Sequence, residues 1–197
     1  MKITEIKAFL VGRFLLVRVY TDEGVIGNGE AGLWAHHGIV KEAIGEMGAY
    51  YVGKDPRRIE HHYQVVSRSA HFMGGALSAA MSAVDIALWD ILGKTLGVPV
   101  YQLLGGKCRD KVKVFENIRG NSVEEVKESA RERVEQGFHS LRMTPFARGF
   151  EQQTGTQNIS TAVELVGAAR EAIGEGVDLG LEIHRNLRPE EAIALAI

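Results

Sequence analysis

Cysteine is almost absent from this 197-residue sequence, which contains only Cys108. A single cysteine has no partner for an internal disulfide bond, and this usage is typical of the reducing cytoplasm, where we expect the protein to be located. An excess of either charge is absent too, because 23 Lys and Arg stand against 25 Asp and Glu, for a formal net charge of -2. The sequence therefore lacks the basic surface that binds a polyanion, and we expect no nucleic-acid partner.

Long uncharged apolar runs are also missing. The most apolar stretch, residues 76–92, is interrupted by Asp85 and Asp90, whereas a membrane-spanning helix needs roughly 18 or more apolar residues. The opening MKITEIKAF lacks the apolar core of a secretion signal. We expect no membrane partner. The hydrophobic content of 45% is nevertheless enough for the core of one or two ordinary domains.

Residues 1 to about 110 show strand periodicity first and helical periodicity afterwards, which predicts an α+β unit. Asp22-Glu23-Gly24 is a turn signal between two strand-like segments, so we predict a three-stranded antiparallel meander. His61 and His62 are expected at the surface or at an interface. The strand-like segments are residues 3–11, 14–21 and 25–30, and the helix-like segments are residues 38–52, a segment after Pro56, and residues 75–95.

From about residue 111 strands and helices alternate, which is typical of a parallel sheet. Ser122 and Glu125 form a capping-box motif at the start of the first helix, and Pro189 occupies the first turn of the third. The connection 145–158 is longer than the roughly 2 to 6 residues usual between strand and helix, so we expect either a lid or a disordered insertion. The predicted strands are residues 112–118, 138–144 and 177–183.

The final helical run reaches Ile197 without a Gly, an Asn or a basic last turn, so we expect a C-terminally truncated chain. Residues 111–197 provide three β/α units, whereas an eight-unit barrel takes about 250 residues. Three architectures stay open for this half: the first part of a barrel, a small open three-stranded α/β layer, or a shortened gene product whose sheet edges a partner covers.

Polar side chains converge at the C-terminal ends of the second and third predicted strands. Period-2 alternation places Glu182 and His184 on one face of the third strand, and Arg142 and Thr144 on the matching face of the second. Parallel α/β enzymes gather catalytic groups at this end of the sheet. A carboxylate suits a hard cation such as Mg²⁺, and an imidazole transfers protons near neutral pH. The pattern alone leaves open a solvated, salt-bridged strand end.

Three segments carry a resemblance to a known family: MKITEIKAF with TDEGVIGNGE, SAVDIALWDILGKTLGVPVYQLLGG, and GLEIHRNLRPEEA. In them the chain resembles the enolase superfamily, within its mandelate racemase and muconate lactonizing enzyme group, and most closely the acid-sugar dehydratases of the galactonate and mannonate type. The resemblance implies an α+β N-terminal capping domain at residues 1–110. It also implies the first part of a (β/α)₇β TIM-like barrel at residues 111–197, with about three β/α units.

The resemblance implies roles for individual residues as well. Glu182 corresponds to the first of three acidic Mg²⁺ ligands, usually Asp, and His184 to a histidine that protonates the departing hydroxyl. Arg142 and Thr144 stand where racemases and lactonizing enzymes carry Lys-x-Lys. Arginine keeps the charge but is a poor base, which counts against racemisation from that face. The other metal ligands and the base would lie beyond residue 197, so we expect weak or no metal binding by this chain alone.

The substrate-binding candidates are Trp34, His37 and His71 in loops of the capping domain, together with Thr144. For the histidines the alternative is that they are exposed loop residues without a role.

We expect a Mg²⁺-dependent lyase that removes the proton α to the carboxylate of a sugar acid and eliminates a β-hydroxyl. We expect the enzyme to be incomplete in this chain and to form a homo-oligomer. Two alternatives stay open: a racemase or epimerase of the same family, and a non-catalytic truncated fragment.

Overall fold

The computed structural model describes residues 1–69 and 71–196. The chain separates into two compact units, Met1–Asp110 and Lys111–Ile197, each with a hydrophobic core of its own.

The first unit begins with the predicted meander. Strands β1 (Ile3–Val11), β2 (Phe14–Thr21) and β3 (Ile26–Ala31) form an antiparallel sheet in that order. The predicted turn lies between β2 and β3, where the Gly24 amide donates to the Thr21 carbonyl at 3.2 Å and Gly24 adopts a φ of 77°. Every second residue of β2 faces the core, so the sheet has one face for helices to cover.

Four helices follow the sheet: α1 (His37–Tyr51), α2 (Ile59–Arg68), α3 (Gly74–Leu96) and the short α4 (Val100–Leu103). By length and composition alone, α3 is apolar enough to cross a membrane. In this unit it is the central helix, because Ala80, Val84 and Ile91 are fully buried in the core beneath the sheet. The expectation of no membrane partner stays a prediction.

One sequence expectation in this unit is wrong. His62 is not at the surface but only 1% exposed, because its ring bonds to Tyr50 and to a backbone carbonyl inside the helical layer.

The second unit alternates strand and helix as predicted, and its sheet is parallel with the order β4-β5-β6. Its core is formed by the helices and the inner sheet face, with Val126, Leu141, Met143 and Ala169 at its centre. The elements are β4 (Glu116–Asn117), α5 (Val123–Glu135), β5 (Ser140–Met143), α6 (Gly155–Ile173), β6 (Asp178–Leu181) and α7 (Pro189–Ala196).

The three parallel strands are shorter than predicted. Residues 112–115 lie outside β4, and Val112 and Val114 are 70% and 62% exposed. Within the described part of the chain β4 and β6 each pair only with β5, so no second neighbour holds their flanking residues in strand geometry.

The predicted long connection after β5 is partly helical. A 3₁₀ turn spans Phe150–Gln152, and α6 begins at Gly155, because Thr154 and Gln157 form a capping box there. The Ser122 cap predicted for α5 is confirmed, because the Ser122 hydroxyl accepts from the Glu125 amide at 3.3 Å. The Glu125 side chain accepts from the Asn121 amide at 2.7 Å and not from that of Ser122, so the predicted capping box is half formed.

Candidate functional site

The middle strand of the parallel sheet presents one apolar face and one polar face. Leu141 and Met143 are 1% and 2% exposed and belong to the core. Arg142 points to the opposite face, and its side chain is 39% exposed. The predicted alternation of β5 is therefore confirmed.

The C-terminal end of β6 differs from the prediction. The Glu182 amide still donates to the Met143 carbonyl at 2.9 Å, so Glu182 extends the ladder one residue past the strand. His184 and Arg185 then adopt φ angles of 50° and 65°, and the Asn186 amide donates to the Ile183 carbonyl at 2.8 Å. His184 is thus in a left-handed turn and not on a strand, so period-2 alternation is the wrong reason for placing it beside Glu182.

The turn nevertheless brings the imidazole to the carboxylate. Glu182 Oε1 accepts a hydrogen bond from the His184 backbone amide at 3.0 Å and lies 3.4 Å from His184 Nδ1. Glu182 Oε2 lies 3.5 Å from Arg142 Nη1, at the outer limit of a hydrogen bond. We call Arg142, Glu182 and His184 the Glu182 cluster.

Two further residues contact the cluster, and the sequence analysis did not identify them. Arg142 Nε donates to Asn117 Oδ1 at 3.1 Å, and the guanidinium carbon lies 4.6 Å from the centre of the Phe115 ring. A signal for both was present, because alternation along the predicted first strand puts residues 115 and 117 on one face.

The Glu182 cluster is partly exposed to solvent. The Glu182 side chain is 34% exposed and that of His184 is 68% exposed. One carboxylate faces one guanidinium and one imidazole, so the cluster combines an oxygen ligand for a cation, a fixed positive charge and a proton-transfer group.

The described residues provide only part of a metal site. Among residues 1–69 and 71–196, no three His, Cys, Asp or Glu side chains come close enough together to hold a metal ion. Glu182 fits Mg²⁺ as a single hard oxygen ligand, and such a site takes its remaining ligands from water, substrate or other carboxylates.

The remaining site candidates are Thr144 in the second unit and three residues of the first unit. Thr144 follows β5 directly and is exposed. Trp34, His37 and His71 belong to the first unit. Trp34 is 69% exposed, and the Arg13 guanidinium lies 5.1 Å from its ring centre. His37 is the first residue of α1, and His71 is exposed between α2 and α3. Their substrate-binding roles stay predictions.

Two protein-family profiles match the chain. "Mandelate racemase / muconate lactonizing enzyme, N-terminal domain" matches residues 4–105, and "Enolase C-terminal domain-like" matches residues 125–197.

Curated relatives are similar over nearly the whole chain. The D-galactonate dehydratase of Pectobacterium atrosepticum is 38% identical over 189 residues, which are 93% of this chain and 48% of the relative. The D-galactonate dehydratase of Verminephrobacter eiseniae is 39% identical over 189 residues, with the same coverage of 93% and 48%. The chain therefore spans about half the length of the curated relatives it matches.

Solved structures are similar in fold. An enolase from Pantoea ananatis with bound D-gluconate and Mg has a TM-score of 0.89 at 29% identity, over 99% of this chain and 56% of that chain. A member of the enolase superfamily from Salmonella Typhimurium has a TM-score of 0.88 at 28% identity, over 98% and 57% of the two chains. These matches confirm the predicted fold class, a capping domain followed by the first part of a TIM-like barrel.

Proposed function

Because the chain belongs to the mandelate racemase and muconate lactonizing enzyme family, we propose that the protein is a Mg²⁺-dependent acid-sugar dehydratase acting on D-galactonate or a closely related aldonic acid. The observation that carries the proposal is the Glu182 carboxylate shared between Arg142 and His184 at the C-terminal edge of the parallel sheet. Relatives named D-galactonate dehydratase at 36–39% identity support the choice of substrate.

Arg142 has the role of holding the substrate carboxylate. A guanidinium stays protonated in proteins, so Arg142 cannot remove the proton α to that carboxylate. Its planar donors match a carboxylate, and a fixed positive charge stabilises the negative charge that develops when the α-proton leaves. The same property argues against a racemase that uses this position as a base.

His184 has the role of general acid. Its imidazole is exposed, and Nδ1 lies 3.4 Å from the Glu182 carboxylate. A protonated imidazole donates its proton to the departing β-hydroxyl, which leaves as water.

Glu182 would hold the metal with one carboxylate group. A bound Mg²⁺ supplies Lewis-acid stabilisation of the enediolate charge. Glu182 also orients His184, because its carboxylate accepts a hydrogen bond from the His184 backbone amide. The same carboxylate therefore contacts both the proton donor, His184, and the charge-stabilising residue, Arg142. The base that takes the α-proton is not among the residues assigned a role.

The cellular setting is part of the proposal. We place the protein in the cytoplasm as a homo-oligomer; the single cysteine, Cys108, supports the reducing compartment.

The direct test incubates the protein with Mg²⁺ and D-galactonate in deuterated buffer and follows the products by NMR. We expect a 2-keto-3-deoxy acid. His184→Gln is expected to lower the rate of elimination by about 10² to 10⁴-fold, the usual contribution of a general acid.

His139→Gln is the matched control, because His139 is an exposed histidine at the opposite end of β5 and should retain the wild-type rate. Exchange of the α-proton for deuterium without elimination would establish a racemase instead, and a lack of any reaction with aldonic acids would refute the dehydratase.

A further inference from the structure

Arg142 lies in a row of residues that crosses all three strands of the parallel sheet. In the strand register Asn117 of β4 pairs with Arg142, and Arg142 pairs with Gly180 of β6. Gly180 has no side chain, so the Arg142 stem has room to lie over β6; a Cβ at Gly180 would be 3.9 Å from Arg142 Cγ. The row therefore has an amide side chain on one side of the arginine and no side chain on the other.

The contacts of Arg142 with Asn117 and Phe115 do not use its Nη groups. Asn117 Oδ1 takes the Nε hydrogen at 3.1 Å, and the Phe115 ring lies against the guanidinium face. Nη1 reaches Glu182 only at 3.5 Å, and Nη2 makes no hydrogen bond within residues 1–69 and 71–196. An arginine fixed at Nε and along its face presents both Nη groups to a planar anion.

Holding this side chain in place matters because arginine is long and flexible. A free arginine loses rotamer entropy when it binds a ligand, whereas an arginine already fixed by its neighbours loses less. Asn117 is suited to the task, because its Oδ1 is a neutral acceptor that leaves the positive charge of Arg142 for the ligand. Its backbone amide is already satisfied by Glu116 Oε1 at 2.9 Å.

We infer that Asn117 and Phe115 are positioning residues, which hold the Arg142 guanidinium so that its Nη groups receive the carboxylate of a sugar acid. The inference deepens the proposed function and rests on it for the identity of the ligand. The positioning itself is a property of the protein without ligand, so it is measured separately.

The first measurement is hydrogen exchange of the Arg142 Nε–H by ¹⁵N NMR, with the signal assigned by its absence in Arg142→Lys. We expect the wild-type Nε–H to be protected. Asn117→Ala should increase its exchange rate about fivefold, which corresponds to the loss of one ordinary hydrogen bond. Asn117→Asp keeps the acceptor and should restore protection.

The matched control is Asn121→Ala. Asn121 Oδ1 accepts from the backbone amide of Arg148 and does not touch Arg142. Its loss should leave the Arg142 Nε–H protected. Phe115→Leu gives a second variant that keeps an apolar side chain but removes the ring face, and it should increase exchange less than Asn117→Ala does.

The second measurement is the steady-state kinetics of D-galactonate turnover. Asn117→Ala should raise KM about fivefold or more with kcat little changed, because the lost contact orients a binding group and not the proton donor. A purely structural role would instead lower the amount of folded protein, which circular dichroism detects.

The outcomes separate the two claims. Equal exchange of the Arg142 Nε–H in wild type, Asn117→Ala and Phe115→Leu overturns the positioning role whatever the activity. Loss of protection in Asn117→Ala, restored in Asn117→Asp, supports it even if the wild-type protein fails to turn over any aldonic acid, a result that would refute the proposed function alone.

Discussion

His62 is a polar residue in the core of the first unit, and every polar atom of its ring has a partner. Nε2 lies 2.8 Å from the Asp55 carbonyl, which only accepts, so Nε2 carries the hydrogen. Nδ1 of the neutral ring then accepts from the Tyr50 hydroxyl at 3.1 Å. Burial lowers the pKa of His62 below its ordinary value, although the bond to the Asp55 carbonyl opposes the shift.

This histidine makes the stability of the protein depend on pH. Because the pKa of His62 is lower in the folded than in the unfolded chain, the unfolded chain binds the proton more readily. The stabilisation is complete above about pH 6.5 and is lost as the pH falls from there through the folded-state pKa. We expect the free energy of unfolding in urea to fall between pH 7 and 5, by at most about 1.4 kcal/mol per pH unit from this group.

The neighbouring histidine provides the control for this prediction. His61 is exposed and acts on His62 less than burial does, so His61→Gln should keep most of the pH dependence, while His62→Gln should flatten it. The charged neighbours that also lower the pKa of His62 are His61, Lys54 and Arg58. An unchanged slope in His62→Gln would contradict the assignment.

The burial of His62 could have been read from its spacing. Ile59, His62 and Val66 are the buried residues of α2, and they repeat at three and four positions as the core stripe of a helix does. Histidine as a residue type suggested a surface position. Its place in the helical stripe puts the ring in the core instead, and two hydrogen-bond partners offset the cost of burying it.

Close packing of one helix on one strand organises the first unit. A Cβ at Gly27 or Gly29 of β3 would overlap the carbonyl groups of Ala87 and Ala83 in α3. The backbones approach this closely only because the strand offers glycine and the helix offers alanine at the contact.

Gly29→Ala tests this packing. The added methyl group meets helix backbone, which cannot move aside as a side chain would, so we expect a loss of about 1–3 kcal/mol in the free energy of unfolding. Gly45→Ala is the matched change at an exposed position of helix α1, where nothing lies within 4 Å of the new Cβ. That variant should gain about 1 kcal/mol from helix propensity. Equal effects in the two variants would contradict the close-packing argument.

Helix α6 begins at Gly155 because of hydrogen bonds between neighbouring residues. The Thr154 hydroxyl accepts from the Gln157 amide at 3.3 Å, and Gln157 Oε1 accepts from the Thr154 amide at 2.9 Å. Thr154→Ala should therefore lower the free energy of unfolding by about 1 kcal/mol in urea denaturation. Ser160→Ala, at an exposed position within the same helix, should change it by less than about 0.5 kcal/mol.

At the scale of the whole molecule, the chain consists of two units with separate cores and matches about half of its relatives' length. The Glu182 cluster lies in the second unit, where Arg142 provides its exposed guanidinium. Ligand binding to this site should stabilise the folded chain, because a ligand that binds only the folded state shifts the unfolding equilibrium.

We expect D-galactonate at about 100 times its Kd to add about 2.7 kcal/mol, or roughly 5 to 10 °C in Tm for a chain of this size. Arg142→Met should abolish the shift, since it removes the charge that binds the carboxylate. Arg148→Met, a change at an exposed arginine outside the Glu182 cluster, should retain it. An equal shift in both variants would place the ligand elsewhere.

The sequence by itself determined the order of the elements, the two faces of β5 and the start of α5, because hydrophobic period and capping motifs are local properties of a few neighbouring residues. Only the tertiary structure decided where the parallel strands end, that Glu182 meets His184 through a left-handed turn, and that Asn117 and Phe115 hold Arg142. Those features depend on which backbone and side-chain groups other strands bring alongside. Alternation places residues 115 and 117 on one face, but it does not say which side chain of the next strand lies beside them.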